Sequence, residues 1–220
     1  MKLDSSKPAP FYYPIFLNLR DKQVVVCGGG RVAERKILSL LKTGARITVI
    51  SPEITKRIER ENAKGNIRLI RRRYRKGDLK GAFVVIVATD SPFLNERISR
   101  HASCLVNVVD TPGLCNFIVP SFVNRSPFLI SISTSGISPA LSRSVRKELG
   151  KLYGPEISSY LKLLKKYRIQ ALELIRDRKR RRKFLQDVAS ENMLKILREK
   201  GLREAKYAVD NLFSAARAGM

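Results

Sequence analysis

The hydrophobic pattern of the chain begins with a short, dense, β-branched run. Residues 23–27, QVVVC, end against glycine and predict a strand buried on both faces. Residues 32–42 then place Val32, Ala33, Ile37, Leu38, Leu40 and Leu41 at helical spacing, with Gly44 where a C-cap belongs. ARITVIS (45–51), closed by Pro52, predicts a second strand, NIRLIRR (66–72) a third, AFVVIVATD (82–90) a fourth and CLVNVVD (104–110) a fifth that ends on Asp110. Helical stretches such as SPFLNERISRHA (91–102) lie between several of them. Alternation of strand and helix predicts an α/β fold built on a doubly wound parallel sheet.

The pattern changes after about residue 113. NFIVPSFVNRSPFLISISTSG (116–136) is strand-like with proline breaks and predicts paired or edge strands. Ser138 then caps a helix with Pro139 at its first position, running to about Tyr153. Between Glu156 and Lys200 there is neither glycine nor proline, and the abundance of Leu, Ile, Lys, Arg and Glu predicts helix.

Chemistry enters at VVVCGGGRVAERK (24–36). Gly28, Gly30 and Ala33 fit G-x-G-x-x-A directly after a strand and at the start of a helix. The first glycine permits the tight turn, the second lets a pyrophosphate approach the backbone, and the small third residue lets helix and strand pack closely. The helix N-terminus would face the phosphates with unpaired N–H groups and a positive dipole end. This is a Rossmann-type arrangement, and its cofactor candidates are Gly28, Gly29, Gly30, Arg31 and Val32 on the turn, Ser51, Pro52 and Glu53 after the second strand, and Thr89 and Asp90 after the fourth. The second strand lacks the usual terminal acid: it ends on Ser51, and the nearest carboxylate is Glu53. Ser51 carries no positive charge and Arg46 sits a strand length away, so NAD is favoured over NADP. Asp90 has a second reading, as N-cap of the next helix.

The chain has 220 residues, with 44 Lys and Arg against 19 Asp and Glu, a formal charge of +25. Such a field attracts polyanions: nucleic acid, or a small molecule with many carboxylates. No run of about 18 uncharged apolar residues is present, and the N-terminal MKLDSSKPAPFYYP has no apolar h-region, so neither a membrane span nor a secretory signal is expected. Cys27, Cys104 and Cys115 show no metal or redox spacing and suit a reducing, cytoplasmic setting.

PIFLNLRDKQVVVCGGGRVAERK (14–36), NVVDTPGLCNFIVPS (107–121) and ISTSGISPALSRSVRKEL (132–149) resemble, in order, the motifs of the precorrin-2 dehydrogenase family of siroheme biosynthesis, which includes the N-terminal module of bacterial siroheme synthase. The resemblance covers roughly residues 12–155; the remainder matches in length and helical character. It implies a Rossmann domain (1–113), a dimerisation segment (114–152) and a helical C-terminal domain (153–220) in a homodimer whose middle segments cross over one another. It also implies oxidation of precorrin-2 to sirohydrochlorin with NAD, insertion of ferrous iron by some members, and a role for the aspartate of the NVVD motif, here Asp110. The family's STGG is STSG here, with Ser135 in place of a glycine; if that position needs positive φ, serine costs stability.

Precorrin-2 carries eight carboxylates, which gives the charge excess a small-molecule explanation. Arg125, Arg143 and Arg146 are candidate carboxylate clamps, Thr134 and Ser135 a candidate anion-binding turn, and Asn116 a further substrate contact. Asp110 could act as general base, could stabilise positive charge on the pyrroles, or could be a turn residue before Thr111-Pro112-Gly113. His101 is the only histidine, has no partner at ligand spacing, and is expected at the surface; no resident metal is expected. Cys115 is expected to be a small buried apolar residue. The competing class is a nucleotide-sensing regulator that grips nucleic acid through RRRYRK (71–76) and RDRKRRRK (176–183); the chain shows no helix-turn-helix signature in its support.

Overall fold

The computed structural model describes residues 12–218; the expectations that fall on residues 1–11 lie outside them. The chain divides into two compact units, Tyr13–Val119 and one built from Pro120 onward.

In the first unit the five apolar runs form five parallel strands: β1 (Gln23–Cys27), β2 (Arg46–Ile50), β3 (Arg68–Ile70), β4 (Val84–Val87) and β5 (Leu105–Val108), ordered β3-β2-β1-β4-β5. β1 is central because it is apolar on both faces. Val24 and Val26 pack with Ala33 and Ile37 of α1 (Arg31–Leu41) and Ile58 of α2 (Lys56–Ala63). Val25 and Cys27 pack on the opposite face with Tyr74 and with Ile98 of α3 (Pro92–His101). Strand order reverses between β1 and β4, and a crevice opens at that point beyond the carboxyl ends of the strands.

The free side of β5 is covered by its own continuation. After a 3₁₀ turn at Pro112–Leu114, the backbone N–H of Asn116 donates to Val106 O (3.1 Å). The Asn116 side chain accepts from Val106 N (2.7 Å) and donates to Cys104 O (2.8 Å). An amide side chain thus stands in for part of a neighbouring strand.

The second unit begins with an antiparallel hairpin, β6 (Ser121–Arg125) and β7 (Phe128–Ile132). α4 (Pro139–Leu152) follows, with Ser138 Oγ accepting from Leu141 N (3.2 Å) and proline in the first turn. The stretch expected to be helical from Glu156 to Lys200 is three helices: α5 (Glu156–Leu174), α6 (Arg178–Asp187) and α7 (Glu191–Ala218), the last kinked at Gly201. The breaks come from side chains that offer the backbone a way to stop and restart. Asp177 accepts from Arg180 N (2.8 Å), Ser190 Oγ accepts from Met193 N (3.4 Å), and Tyr160 donates its hydroxyl to Val188 O (2.6 Å) at the end of α6. Helical propensity therefore predicts the state of these residues and misses their segmentation. Tyr167, Phe184 and Phe213, one from each helix, meet with ring centroids 5.3–6.4 Å apart.

Ser135 has φ 51° and Gly136 φ 84°, so the serine in STSG does occupy left-handed backbone. Ser135→Gly should raise stability by about 1 kcal/mol by removing that strain, read as an upward shift in the denaturant midpoint. Phe184→Ala should cost about 3–5 kcal/mol, because the ring is 2% exposed between two other aromatics. A loss below about 1 kcal/mol in chemical denaturation would show that the three helices do not share one core.

Candidate functional site

The site grows from the turn after β1. Gly28 has φ 119°, and a Cβ there would lie 2.1 Å from the carbonyl oxygen of Ala88, at the end of β4. A Cβ on Gly29 would lie 2.1 Å from the Glu53 carbonyl oxygen, and the loop after β2 is tied to the same turn by Thr55 N–H donating to Gly29 O (3.1 Å). Gly30 differs from both: φ is −75°, open to any residue, and the space its Cβ would enter is empty. Two glycines are thus demanded by the fold and the third keeps a volume clear.

Gly30 is also the N-cap of α1 and supplies no capping side chain. By contrast α2, α3, α4 and α6 are each capped, by Thr55, Ser91, Ser138 and Asp177. The amides of Arg31, Val32 and Ala33 find no acceptor among the described residues. Ala33 is fully buried, which lets α1 lie close on β1. An uncapped helix start facing a cleared volume fits a diphosphate.

The volume is a cleft of about 900 Å³. All the expected cofactor residues line it except Val32: Gly28, Gly29, Gly30, Arg31, Ser51, Pro52, Glu53, Thr89 and Asp90. The Ser51 hydroxyl is buried and donates to the Glu53 carbonyl, which leaves the exposed Glu53 carboxylate as the free group at the end of β2. The Thr89 hydroxyl donates to Asn95 (2.6 Å). Asp90 is not the cap of α3; Ser91 is. Arg46 lies at the opposite end of β2 and donates to Asp21 O (3.0 Å). Burial pushes the Cys27 thiol up to about 12, so no thiolate opposes an anion above it.

Sequence reasoning missed Arg73, Tyr74, Phe93 and Arg97, which also line the cleft. The run RRRYRK, which the competing reading takes as a grip on nucleic acid, divides its side chains among different tasks. In the structure Arg72 makes a bidentate pair with Asp78 (2.8 and 2.8 Å), Tyr74 is buried, and Arg73 faces the cleft. A buried tyrosine among arginines was the available signal. The pairing with Arg72 holds the Asp78 carboxyl below its usual range.

Asp110 lies two residues past β5, with φ 57°, exposed, and without a hydrogen-bond partner for its carboxylate among the described residues. It does not line the cleft. Cys115 is half-buried and not merely apolar: its sulfur accepts from Val108 N (3.1 Å) and lies 3.4 Å from Thr111 O. The His101 ring is exposed and meets the Tyr74 hydroxyl at 3.0 Å. Among the described residues no group of three His, Cys, Asp or Glu side chains is gathered as a metal site.

The substrate candidates divide between the units. In the first unit the Asn116 side chain is engaged along β5. In the second, Arg125 donates to Gly150 O (3.1 Å) and Tyr153 O (3.2 Å) at the end of α4. Thr134 donates to Ser138 O and meets the Ser142 hydroxyl, which locks the turn before α4. Ser135 is half-buried, and Arg143 and Arg146 are exposed on α4 without a carboxylate partner among the described residues.

Comparison with known proteins agrees with this geometry. Residues 15–121 match a family model described as "Putative NAD(P)-binding". Siroheme synthase of Methylobacillus flagellatus is 39% identical over 178 residues, covering 80% of this chain and 38% of that protein. Siroheme synthase of Azotobacter vinelandii is 37% identical over 180 residues, 80% of this chain and 39% of its own length. The chain thus spans about two fifths of the curated relatives it matches. The solved structure of SirC, precorrin-2 dehydrogenase, superposes with a TM-score of 0.77 at 28% identity, covering 91% of this chain and 100% of that one. By sequence the chain is thus similar to about two fifths of these siroheme synthases, and by fold it is similar to the whole of a precorrin-2 dehydrogenase, around a unit that matches an NAD(P)-binding model.

Proposed function

We propose that this chain catalyses the NAD-dependent oxidation of precorrin-2 to sirohydrochlorin in siroheme biosynthesis. The observation that carries the reading is the uncapped start of α1 above a cleared glycine turn, in a chain that covers the whole of a precorrin-2 dehydrogenase. The amides of residues 31–33 and the Arg31 side chain would hold the diphosphate, and Glu53 would hold the ribose hydroxyls. Bound NAD supplies a hydride acceptor. Loss of a hydride from the substrate must be accompanied by loss of a proton, and the Asp110 carboxylate is the group we assign to take it. Its freedom from hydrogen bonds suits that task better than a turn-stabilising one. Arg143, Arg146 and Ser135 remain the substrate contacts proposed from the second unit, while Arg125 and Thr134 hold backbone within that unit and Asn116 holds it along β5 in the first.

Ferrous iron insertion would draw on the same carboxylate, as acceptor for pyrrole protons. The second unit exposes Phe122 and Leu129 on its hairpin, Ile137 on the turn that follows, and Leu141 and Leu152 on α4, and we assign these apolar residues to a homodimer contact. The three free thiols, and the absence among the described residues of any helix long and apolar enough to cross a membrane, are compatible with a cytoplasmic enzyme.

The direct test is an anaerobic assay with enzymatically prepared precorrin-2, following NADH and the tetrapyrrole spectrum together before ferrous ion is added. NADH with sirohydrochlorin is expected; no NADH from protein that binds NAD normally would overturn the oxidation. Gly30→Asp should fold as the parent does, since its backbone is unstrained and its Cβ meets nothing, yet weaken NAD binding at least about tenfold by filling and repelling the diphosphate's place. Unchanged affinity by calorimetry would remove the cradle. Asp110→Asn should retain NAD binding and lose roughly 10²-fold or more in turnover; near-parental rates would withdraw its assigned role.

A further inference from the structure

The densest charge in the chain lies where α5 turns into α6. Between Lys162 and Lys183 there are eleven lysines and arginines against two acids, Glu173 and Asp177. None of the eleven makes an ion pair among the described residues. Of the six basic side chains that open α6, five are exposed. The sixth, Arg181, donates to Ile175 O (3.0 Å) and so seats the first turn of α6 against the end of α5. Successive helical residues step about 100° round the axis, so the cations surround the start of α6 and do not form one stripe.

The same corner exposes aliphatic side chains. On α5, Lys165, Ile169 and Leu172 follow at i, i+4 and i+7 and share a face. It is turned away from the buried Tyr160, Tyr167 and Ala171. Ile169 is 50% exposed, Leu172 59% and Leu174 48%. Arg168 and Arg176 are exposed close to them in the chain. Leucines in water among unpaired cations suit an occupant that takes both, one with negative charge at its surface and apolar depth beneath.

A second copy of the chain brings the same positive charge and is repelled. Nucleic acid supplies phosphate, yet every aromatic residue of α5 and α6 (Tyr160, Tyr167 and Phe184) is buried, so no ring is offered to a base and the aliphatics stay in water. A carboxylate-rich protein holds its charges at fixed positions, whereas cations on flexible stems all round a helix match anions that move laterally. A layer of anionic lipid supplies those mobile phosphates and, below them, a place for aliphatic side chains.

We propose that the α5–α6 corner docks on an anionic lipid surface. Ile169, Leu172 and Leu174 enter the boundary of the acyl layer, and the cations around them hold the headgroups. The contact is made from one side of the layer, since among the described residues no helix is long and apolar enough to cross it. It is independent of the reaction assigned to the first unit.

The chain contains no tryptophan, so Leu172→Trp places a single reporter at an exposed position. The full chain carrying it is mixed at low salt with vesicles of phosphatidylcholine alone, or of phosphatidylcholine with phosphatidylglycerol. Cosedimentation and a blue-shifted emission, quenched by brominated acyl chains, are expected with the anionic vesicles and not with the neutral ones. Both should fade as salt is raised. One cation near such a surface changes binding about fivefold, so Arg178→Gln, Lys179→Gln and Arg182→Gln together should weaken it about a hundredfold. An unchanged circular dichroism spectrum and denaturant midpoint report an intact fold; should Leu172→Trp fail there, Ile169→Trp takes its place. No binding to anionic vesicles, equal binding to neutral ones, binding with unshifted emission, or parental binding by the triple variant would each overturn the proposal. Duplex DNA is run in parallel: an emission shift with DNA and none with vesicles assigns the corner to nucleic acid instead.

Discussion

The first unit depends on the missing side chain at Gly28. The carbonyl of Ala88 occupies the place of its Cβ, so the loops after β1 and β4 touch through backbone alone. That contact brings the ends of the two central strands together at the switch point of the sheet. It also fixes where α1 starts, and the next residue, Gly29, passes the constraint to the loop after β2. Three loops are thereby locked around one volume before any ligand is considered. The cost is a backbone that only glycine can supply at φ 119°.

Capping completes the logic. In the first unit the other two helix starts carry an oxygen, Thr55 on α2 and Ser91 on α3; in the second, Ser138 and Asp177 cap α4 and α6, and α5 starts at Pro155 without a side-chain cap. At α1 the chain places Gly30 and leaves the amides open. A helix loses about 1 kcal/mol by forgoing a cap. Inside an otherwise well-capped unit that loss marks a surface kept for a ligand, and it aligns with the Rossmann-type sheet and with the NAD(P)-binding model that residues 15–121 match.

Much of this was legible in the residues. The five strand runs, the turn and the Ser138–Pro139 start carry strong local signals, because burial on both faces and capping chemistry are written within a few positions of each residue. The less visible parts depend on contacts across sequence. That Ser51 turns its hydroxyl to the Glu53 carbonyl, or that Tyr74 buries itself and brings Arg73 to the cleft, follows from the packing of distant elements. The same holds for α5, α6 and α7. Their residues favour helix throughout, and only the tertiary partners of Tyr160, Asp177 and Ser190 say where each helix ends. Asn116 and Arg125 show the converse. A polar residue in a family-like motif can be wholly engaged with nearby backbone, and sequence does not distinguish that from a residue reaching for substrate.

α6 carries one consequence of its own. Its first six residues, Arg178–Lys183, are all basic, at the end of a helix where the backbone dipole is already positive. Asp177 offsets them through its cap, and Arg181 turns back to Ile175 O (3.0 Å). Phe184, immediately after, holds the helix to the core. The helix is thus pinned by its apolar half against the repulsion of its basic half. Dissolved salt screens that repulsion and leaves the apolar anchor intact. The order of α6 is therefore set partly by the medium: ionic strength acts on this segment as a structural variable, firming it in brine and loosening it in dilute buffer.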